Sequence, residues 1–176
     1  MTGWINAAAG KSAFLDSIMM AVTQVGVPAM VLLVALQWWA RESRYHIRHA
    51  ALSAGLSFLL GLAINQVILL FVHRARPYDA GITHLQIAPS ADWSFPSDHA
   101  TAAFAIVAAF TLQRLPRRAL GFLLLALLVC WSRLYVGTHY LTDVLGGALT
   151  GVLGAVLVRA LYRENSRLDQ MATRIL

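Results

Sequence analysis

Residues Ile18 to Trp39 read IMMAVTQVGVPAMVLLVALQWW, and this run contains no charged side chain. A helix that crosses a bilayer needs about 20 mostly apolar residues, because each residue covers ~1.5 Å of a hydrocarbon core that is ~30 Å thick. The run is long enough to cross, and its two final tryptophans suit the headgroup level, where aromatic side chains concentrate. It therefore predicts a transmembrane helix in a chain that folds in lipid.

Four more apolar segments follow in this chain of 176 residues. Hydrophobic residues make up 59% of the chain and charged residues only 12%, whereas charged residues make up about 25% of soluble domains. The sequence thus predicts an all-α, polytopic membrane bundle with about five transmembrane helices in a single domain, residues 1–176. After Ile18 to Trp39, the helices are expected at about Ala50 to Val72, Ala100 to Leu112 with a polar lead-in that continues the helix, Ala119 to Cys130 with an extension to Tyr135, and Leu141 to Leu161.

The two ends of the chain are expected to lie at the membrane surface. Trp4 to Asp16 is mildly amphipathic and too short to cross, which favours an interfacial helix within residues 1–17. A signal peptide is the alternative, but no small-residue cleavage site closes the run from Ile18. The basic tail, residues 162–176, is expected to lie on anionic cytoplasmic lipid.

Basic residues give the predicted orientation. The net charge of +6 could suit nucleic acid, but the basic residues stand at helix ends rather than on one soluble face. The positive-inside rule places them in the cytoplasm, with the C-terminus inside and the N-terminus outside. The segments Phe71 to His99 and Trp131 to Thr142 are then outside. The cytoplasmic basic residues are Arg41, Arg44, Arg48, Arg114, Arg117, Arg118, Arg159, Arg163, Arg167 and Arg174.

Three polar motifs lie in the two outer segments: HRARP from His73 to Pro77, FPSDH from Phe95 to His99, and SRLYVGTHYLTD from Ser132 to Asp143. Ionisable groups near lipid are costly, so their concentration at helix ends on one side of the membrane indicates a functional site. The guanidinium and imidazole groups in these motifs are typical ligands of an oxyanion such as phosphate. A transporter that holds an anion or relays protons is the alternative from a different class.

A histidine and an aspartate in the third motif are candidates for covalent catalysis. At a spacing of four, His139 and Asp143 are expected to share one helix face, where the carboxylate can accept a hydrogen bond from one imidazole nitrogen. The other nitrogen is then free to attack, as a nucleophile with an orienting partner. Simple stabilisation of a helix end is the alternative for this pair.

Candidate anion-binding groups surround that pair. The planar guanidinium groups of Arg133 and Arg76 can each donate two hydrogen bonds to phosphate oxygens. The alternative for Arg133 is a side chain that only extends to the membrane interface, and the alternative for Arg76 is a solvated surface side chain. Ser97 is a predicted N-cap with Asp98 in the first turn, and free N–H groups there can bind phosphate with the Ser97 hydroxyl. His99 lies close enough to act as a general acid. The alternative for Ser97 and Asp98 is ordinary helix capping, and the alternative for His99 is a histidine at the membrane interface without a catalytic role.

The motifs resemble those of the type 2 phosphatidic acid phosphatase superfamily, which are K-x6-R-P, P-S-G-H and S-R-x5-H-x3-D. The resemblance covers about Ala50 to Leu161. The third motif is matched at every fixed position, by Ser132, Arg133, His139 and Asp143.

The first two motifs depart from the family pattern. Asp98 stands in the glycine place of the second motif, and Leu69 stands where the first motif has lysine. Arg74 or His73 could replace the lysine, and Arg74 is favoured; an inactive scaffold is a further alternative. These departures, with "NQ" at residues 65 and 66, are similar to the bacitracin-resistance type of undecaprenyl-diphosphate phosphatase.

The resemblance implies a phosphohistidine mechanism without metal or cofactor. His139 attacks the terminal phosphate, His99 serves as general acid and base, and Asp143 orients His139. The implied substrate-binding residues are Arg76, Arg133, Ser97, Arg74, Asp98 and Ser132.

The implied substrate is undecaprenyl diphosphate, whose hydrolysis recycles the lipid carrier of cell-wall synthesis and supports bacitracin resistance. The implied location is the bacterial plasma membrane, with the site on the outer face. The implied partners are a lipid phosphate and the bilayer, without nucleic acid, and the oligomeric state stays open. The alternative within the same chemistry is a phosphatase of phosphatidylglycerol phosphate or phosphatidate with broad range.

Overall fold

The structure, a computed structural model, describes residues 2–174 and contains no β-strand in that range. Four helices are long and apolar enough to cross a membrane, and one shorter apolar helix joins them, which confirms the predicted all-α membrane bundle. The helices in chain order are α1 (Thr2–Asn6), α2 (Ala13–Leu36), α3 (Arg44–Leu69), α4 (Asp98–Leu112), α5 (Pro116–Tyr135), α6 (Leu141–Leu161) and α7 (Arg167–Thr173).

Large apolar side chains cover the outside of the bundle. Leu59, Leu124 and Leu149 are 62%, 62% and 71% exposed, although they lie in the middle of long helices. Soluble monomers rarely expose continuous apolar surface on this scale. The outward faces of α3, α5 and α6 therefore suit lipid as their solvent.

The N-terminal segment differs from the single interfacial helix that Trp4 to Asp16 was expected to form. Helix α1 ends at Asn6, and α2 begins at Ala13 after Ser12, whose hydroxyl accepts a hydrogen bond from the Leu15 N–H at 3.4 Å. Gly10 has a φ of +80°, a left-handed conformation that glycine adopts without steric cost. The chain therefore turns between two helices. Met1 lies outside the described residues.

Helix α4 lies at the centre of the bundle because small residues let α6 approach it closely. A Cβ atom added at Gly147 would collide with the Ser97 carbonyl oxygen, and one added at Gly151 would collide with that of Thr101. Small residues allow this close contact between membrane helices. The Ser97 N–H can therefore donate to the Asp143 carbonyl oxygen at 3.0 Å, which joins the starts of α4 and α6.

The C-terminal segment contains the short helix α7, which packs on α3; the place of this segment on anionic lipid stays a prediction. His49 Nδ1 is 2.8 Å from Asp169 Oδ1, and Arg48 donates to the Thr173 carbonyl oxygen at 2.8 Å. Both Asp169 and Thr173 are buried. Burial alone would raise the pKa of Asp169, but hydrogen bonds from Tyr162 and His49 lower it. Residues 175 and 176 of the predicted tail lie outside the described range.

Candidate active site

The two predicted outer segments meet at one end of the bundle. Arg76 Nη1 donates to the Thr138 carbonyl oxygen at 3.1 Å, and Arg74 Nη1 donates to Thr142 Oγ1 at 2.6 Å. The loop that follows α3 is therefore joined to the loop between α5 and α6. All three polar motifs come together there, although more than 60 residues separate the two contacting segments in sequence.

A cavity of about 120 Å³ opens between these loops and the ends of α3, α4 and α5. Five of the predicted site residues line it, together with the leucine that stands in the lysine place of the first motif. These residues are His99, His139, Arg76, Arg133, Asp98 and Leu69. The cavity thus combines two imidazoles with two guanidinium groups, a combination suited to an oxyanion.

His139 lies in the loop before α6, so it does not share a helix face with Asp143 as its spacing predicted. Its Nδ1 is 2.9 Å from the Ser94 carbonyl oxygen and 3.6 Å from Asp143 Oδ2. A carbonyl oxygen can only accept, so Nδ1 carries the proton and Nε2 keeps its lone pair. Nε2 lies 3.4 Å from Arg76 Nη1. The hydrogen bond that orients His139 is therefore the one to Ser94.

His139 is buried and is held as a neutral imidazole. Burial lowers its pKa, the Asp143 carboxylate opposes this shift, and the Arg133 and Arg76 guanidinium groups lower the pKa further. A neutral imidazole with an unprotonated Nε2 is the form that can act as a nucleophile.

Asp143 is fully buried next to His139. Its carboxylate accepts hydrogen bonds from Arg74 Nη1 at 2.7 Å, from the Tyr140 N–H at 2.8 Å and from the Ser94 hydroxyl. Ser94 therefore links the two residues, because its hydroxyl donates to Asp143 while its carbonyl accepts from His139. Ser94 was not predicted as a site residue, because no motif distinguishes a serine just before FPSDH from other loop serines.

Two arginines are fixed in place at the cavity wall. Arg76 Nε donates to the Asp92 carbonyl oxygen at 2.9 Å, and Arg133 Nη1 donates to Thr23 Oγ1 at 2.9 Å. Among residues 2–174, the buried Nε of Arg133 has no hydrogen-bond partner. Thr23 belongs to α2, so this helix also contributes to the site, and no motif predicts that contribution. Both guanidinium groups are thus held in place at the cavity.

Ser97 precedes α4 as predicted, but its hydroxyl does not cap the helix. Ser97 is fully buried, and its Oγ has no hydrogen-bond partner within the described part of the chain. A buried hydroxyl without a partner is costly. Asp98 follows it at the cavity wall, where Asn65 Nδ2 donates to its Oδ1 at 2.6 Å. Asn65 also donates to Thr101 Oγ1 at 2.8 Å, so α3 fixes the first turn of α4.

Two of the predicted substrate ligands, Arg74 and Ser132, and the alternative to Arg74, His73, do not line the cavity. Arg74 was expected to replace the missing lysine at the phosphate, but it does not line the cavity and is bonded to Asp143. Ser132 was expected to bind substrate, but its hydroxyl donates within α5 to the Val129 carbonyl oxygen at 2.7 Å. His73 packs against Trp93, with ring centroids 5.1 Å apart. Ser132 lies in α5, whose regular geometry directs its side chain away from the cavity. His73 and Arg74 lie in the irregular loop after α3 and do not line the cavity either.

Residues that could hold a metal ion do not cluster in the part of the chain that the structure describes. From Thr2 to Arg174, no three histidine, cysteine, aspartate or glutamate side chains form such a group. The positive charge that faces the cavity comes from Arg76 and Arg133, and the Asp92 and Asp98 side chains also line it.

Comparisons with known proteins agree with this geometry. The PAP2 superfamily model matches residues 50–167. Undecaprenyl-diphosphatase BcrC of Bacillus subtilis (strain 168) is 37% identical over 143 residues, which are 79% of this chain and 70% of that protein. Phosphatidylglycerophosphatase B of the same organism is 28% identical over 170 residues, 91% of this chain and 81% of that protein. The crystal structure of Aquifex aeolicus LpxE has the same fold, with a TM-score of 0.70, 22% identity, and coverage of 89% of this chain and 91% of that one.

Proposed function

Because this chain belongs to the PAP2 superfamily and is a membrane lipid phosphatase, we propose that it hydrolyses undecaprenyl diphosphate to undecaprenyl phosphate and inorganic phosphate. The observation that carries the proposed chemistry is the cavity where the unprotonated Nε2 of His139 faces Arg76, Arg133 and His99. The substrate assignment is supported by the 37% identity to a protein named undecaprenyl-diphosphatase.

The first step transfers the terminal phosphoryl group to His139. Nε2 attacks phosphorus in line, a P–N bond forms, and the bond from phosphorus to the bridging oxygen breaks. The bound anionic headgroup favours the imidazolium form of His99, which donates a proton to that leaving oxygen, and undecaprenyl phosphate departs. Arg76 and Arg133 bind the equatorial oxygens, where they offset the negative charge of the transition state. The cation that forms on His139 is stabilised by its Nδ1–H bond to Ser94 and by nearby Asp143.

The second step returns the enzyme to its starting form. Water attacks the phosphohistidine, His99 takes the proton from that water, and the P–N bond breaks to release inorganic phosphate. The same two arginines serve both steps, because both transition states carry negative charge on the phosphoryl oxygens.

The cavity is proposed to face the extracytoplasmic side of the bacterial plasma membrane. Arg114, Arg117 and Arg118 follow the end of α4 that lies away from the cavity, and α3 begins with Arg44 at that same far end. Under the positive-inside rule, that far end is cytoplasmic. A site at the membrane-surface end of the helices receives a lipid headgroup laterally from the membrane, and inorganic phosphate leaves to the outside. This arrangement is consistent with recycling of a cell-wall lipid carrier and with bacitracin resistance.

A phosphatase of phosphatidylglycerol phosphate is the second candidate. It is favoured by the 28% identity to phosphatidylglycerophosphatase B, an alignment that covers 91% of this chain. The two candidates share the site chemistry, so they differ only in the group that leaves and in the lipid that carries it.

Phosphate release by the purified protein in detergent separates the two candidates. We expect kcat/KM to be highest for undecaprenyl diphosphate in a panel that includes phosphatidylglycerol phosphate and phosphatidate. His139→Ala is the control and should abolish release while lipid binding persists. A preference above about tenfold for either glycerolipid would replace the substrate assignment, whereas equal turnover by His139→Ala would remove the proposed nucleophile.

A further inference from the structure

Arg74 does not line the cavity and instead contacts the carboxylate of Asp143, close to the proposed nucleophile. Its Nη1 is 2.7 Å from Asp143 Oδ1 and 2.6 Å from Thr142 Oγ1, and its guanidinium carbon lies 3.9 Å from the centre of the Tyr140 ring. The Asp143 side chain is completely buried, whereas that of Arg74 is 37% exposed. Within residues 2–174, Arg74 is the only arginine or lysine within ion-pair distance of this carboxylate.

A buried carboxylate needs a partner for its charge, because water does not screen it. Arg74 occupies Oδ1 of Asp143, while Oδ2 accepts from the Ser94 hydroxyl and lies 3.6 Å from His139 Nδ1. The Ser94 carbonyl oxygen accepts the Nδ1 proton of the same imidazole. The Arg74 charge is thus separated from the nucleophile by one carboxylate.

We propose, on the premise of the phosphatase function proposed above, that Arg74 is a positioning residue that balances the charge of Asp143 and so keeps His139 unprotonated. The phosphohistidine mechanism requires a lone pair on Nε2. A carboxylate without a balancing cation would favour the imidazolium form, which has no lone pair there.

Other charged groups around His139 come from each neighbouring element, and they do not replace Arg74. Arg76 and Arg133 approach from the cavity side and bind the phosphoryl group in the proposed mechanism. His99 and Asp98 belong to α4, and Asp92 belongs to the preceding loop. None of these groups lies within ion-pair distance of Asp143. The negative charge of the Asp143 carboxylate is therefore balanced locally by Arg74.

The test compares the pH dependence of kcat/KM for Arg74→Ala, Arg74→Lys and the unmodified protein. It uses whichever lipid phosphate the unmodified protein hydrolyses best, so a wrong substrate assignment does not affect the outcome. In Arg74→Ala, the acid limb should move to higher pH by about 0.5 to 1 unit, less than the 1–3 units of a direct contact. Arg74→Lys should restore most of the shift. Arg117→Ala removes an exposed arginine at the other end of the bundle and should leave the limb unchanged.

Two results would overturn this role. An acid limb that stays in place in Arg74→Ala shows that Arg74 does not set the protonation of His139. A higher KM at every pH with the limb unmoved would make Arg74 a phosphate ligand instead. If Arg74→Ala is too slow for kinetics, NMR titration of the His139 ring in the folded variant gives the same answer: a raised pKa supports the role and an unchanged pKa refutes it.

Discussion

Replacing Ser97 with alanine should stabilise the protein and impair the enzyme at the same time. Ser97 is fully buried, and its hydroxyl has no hydrogen-bond partner among residues 2–174. The backbone contact from the Ser97 N–H to Asp143 stays in the variant, because it does not involve the side chain. Only the hydroxyl is lost, and alanine fills nearly the same volume.

The two expected effects have opposite signs. A buried hydroxyl without a partner costs ~1–3 kcal/mol, so its removal should raise the free energy of unfolding by up to that amount. The family resemblance implies that the same hydroxyl, next to Asp98 at the cavity wall, donates to a charged phosphoryl oxygen of the substrate, and such a bond contributes ~1.5–3 kcal/mol. Because each ~1.4 kcal/mol changes the rate tenfold, kcat/KM should fall by about 10- to 150-fold.

Thermal unfolding in detergent and kcat/KM for phosphate release measure both effects on the same sample. Ser57→Ala is the matched control: Ser57 is also fully buried, but its hydroxyl donates to the Ser53 carbonyl oxygen at 2.6 Å. That control should lose about 1 kcal/mol of stability and keep its activity per folded molecule. If Ser97→Ala instead lowers Tm and leaves kcat/KM unchanged, the Ser97 hydroxyl has a structural role and does not bind substrate.

Three further perturbations test separate parts of the fold and site. Gly147→Ala should lower both Tm and activity, because the new Cβ would collide with the Ser97 carbonyl and overpacking costs ~1–3 kcal/mol; normal values would show that α4 and α6 are not in close contact. Asp169→Ala should destabilise the protein by about 1–3 kcal/mol, since it leaves His49 without its buried hydrogen-bond partner, and an unchanged Tm would argue against docking of α7. Because the pKa of His139 lies below its ordinary value of 6.5, NMR titration of the His139 ring in the folded protein should show no protonation step as pH falls past that value; a step at that value would contradict a buried neutral nucleophile.

Local patterns in the sequence predicted the helices well. Leu141 to Leu161 was predicted with both of its ends correct, and α5 ends at Tyr135 as the extended prediction had it. Hydropathy works in this case because each apolar run is continuous and lipid permits few alternatives to a helix. The break between α1 and α2 was missed, since a mild amphipathic pattern through residues 4–16 hides the turn that Gly10 and Ser12 produce.

Motif spacing identified most of the charged and histidine residues at the cavity but not the directions of the side chains. Arg74 and Arg76 are two residues apart in an irregular loop, yet Arg76 faces the cavity and Arg74 bonds to Asp143. No periodic rule gives side-chain directions in such a loop. The contact between Ser94 and Asp143 joins residues that are 49 positions apart in sequence. The contact between His49 and Asp169 joins residues that are 120 positions apart. Contacts this distant in sequence leave no local pattern in a single chain.

Trapping the phosphoenzyme tests the identity of the nucleophile without a kinetic model. The purified protein is mixed with undecaprenyl diphosphate labelled at the terminal phosphate, quenched in alkali and digested. The label should be alkali-stable and acid-labile, should lie on the peptide that contains His139, and should be missing from His139→Ala. Label on His99, or an acid-stable phosphoryl group that persists in His139→Ala, would contradict phosphoryl transfer to His139.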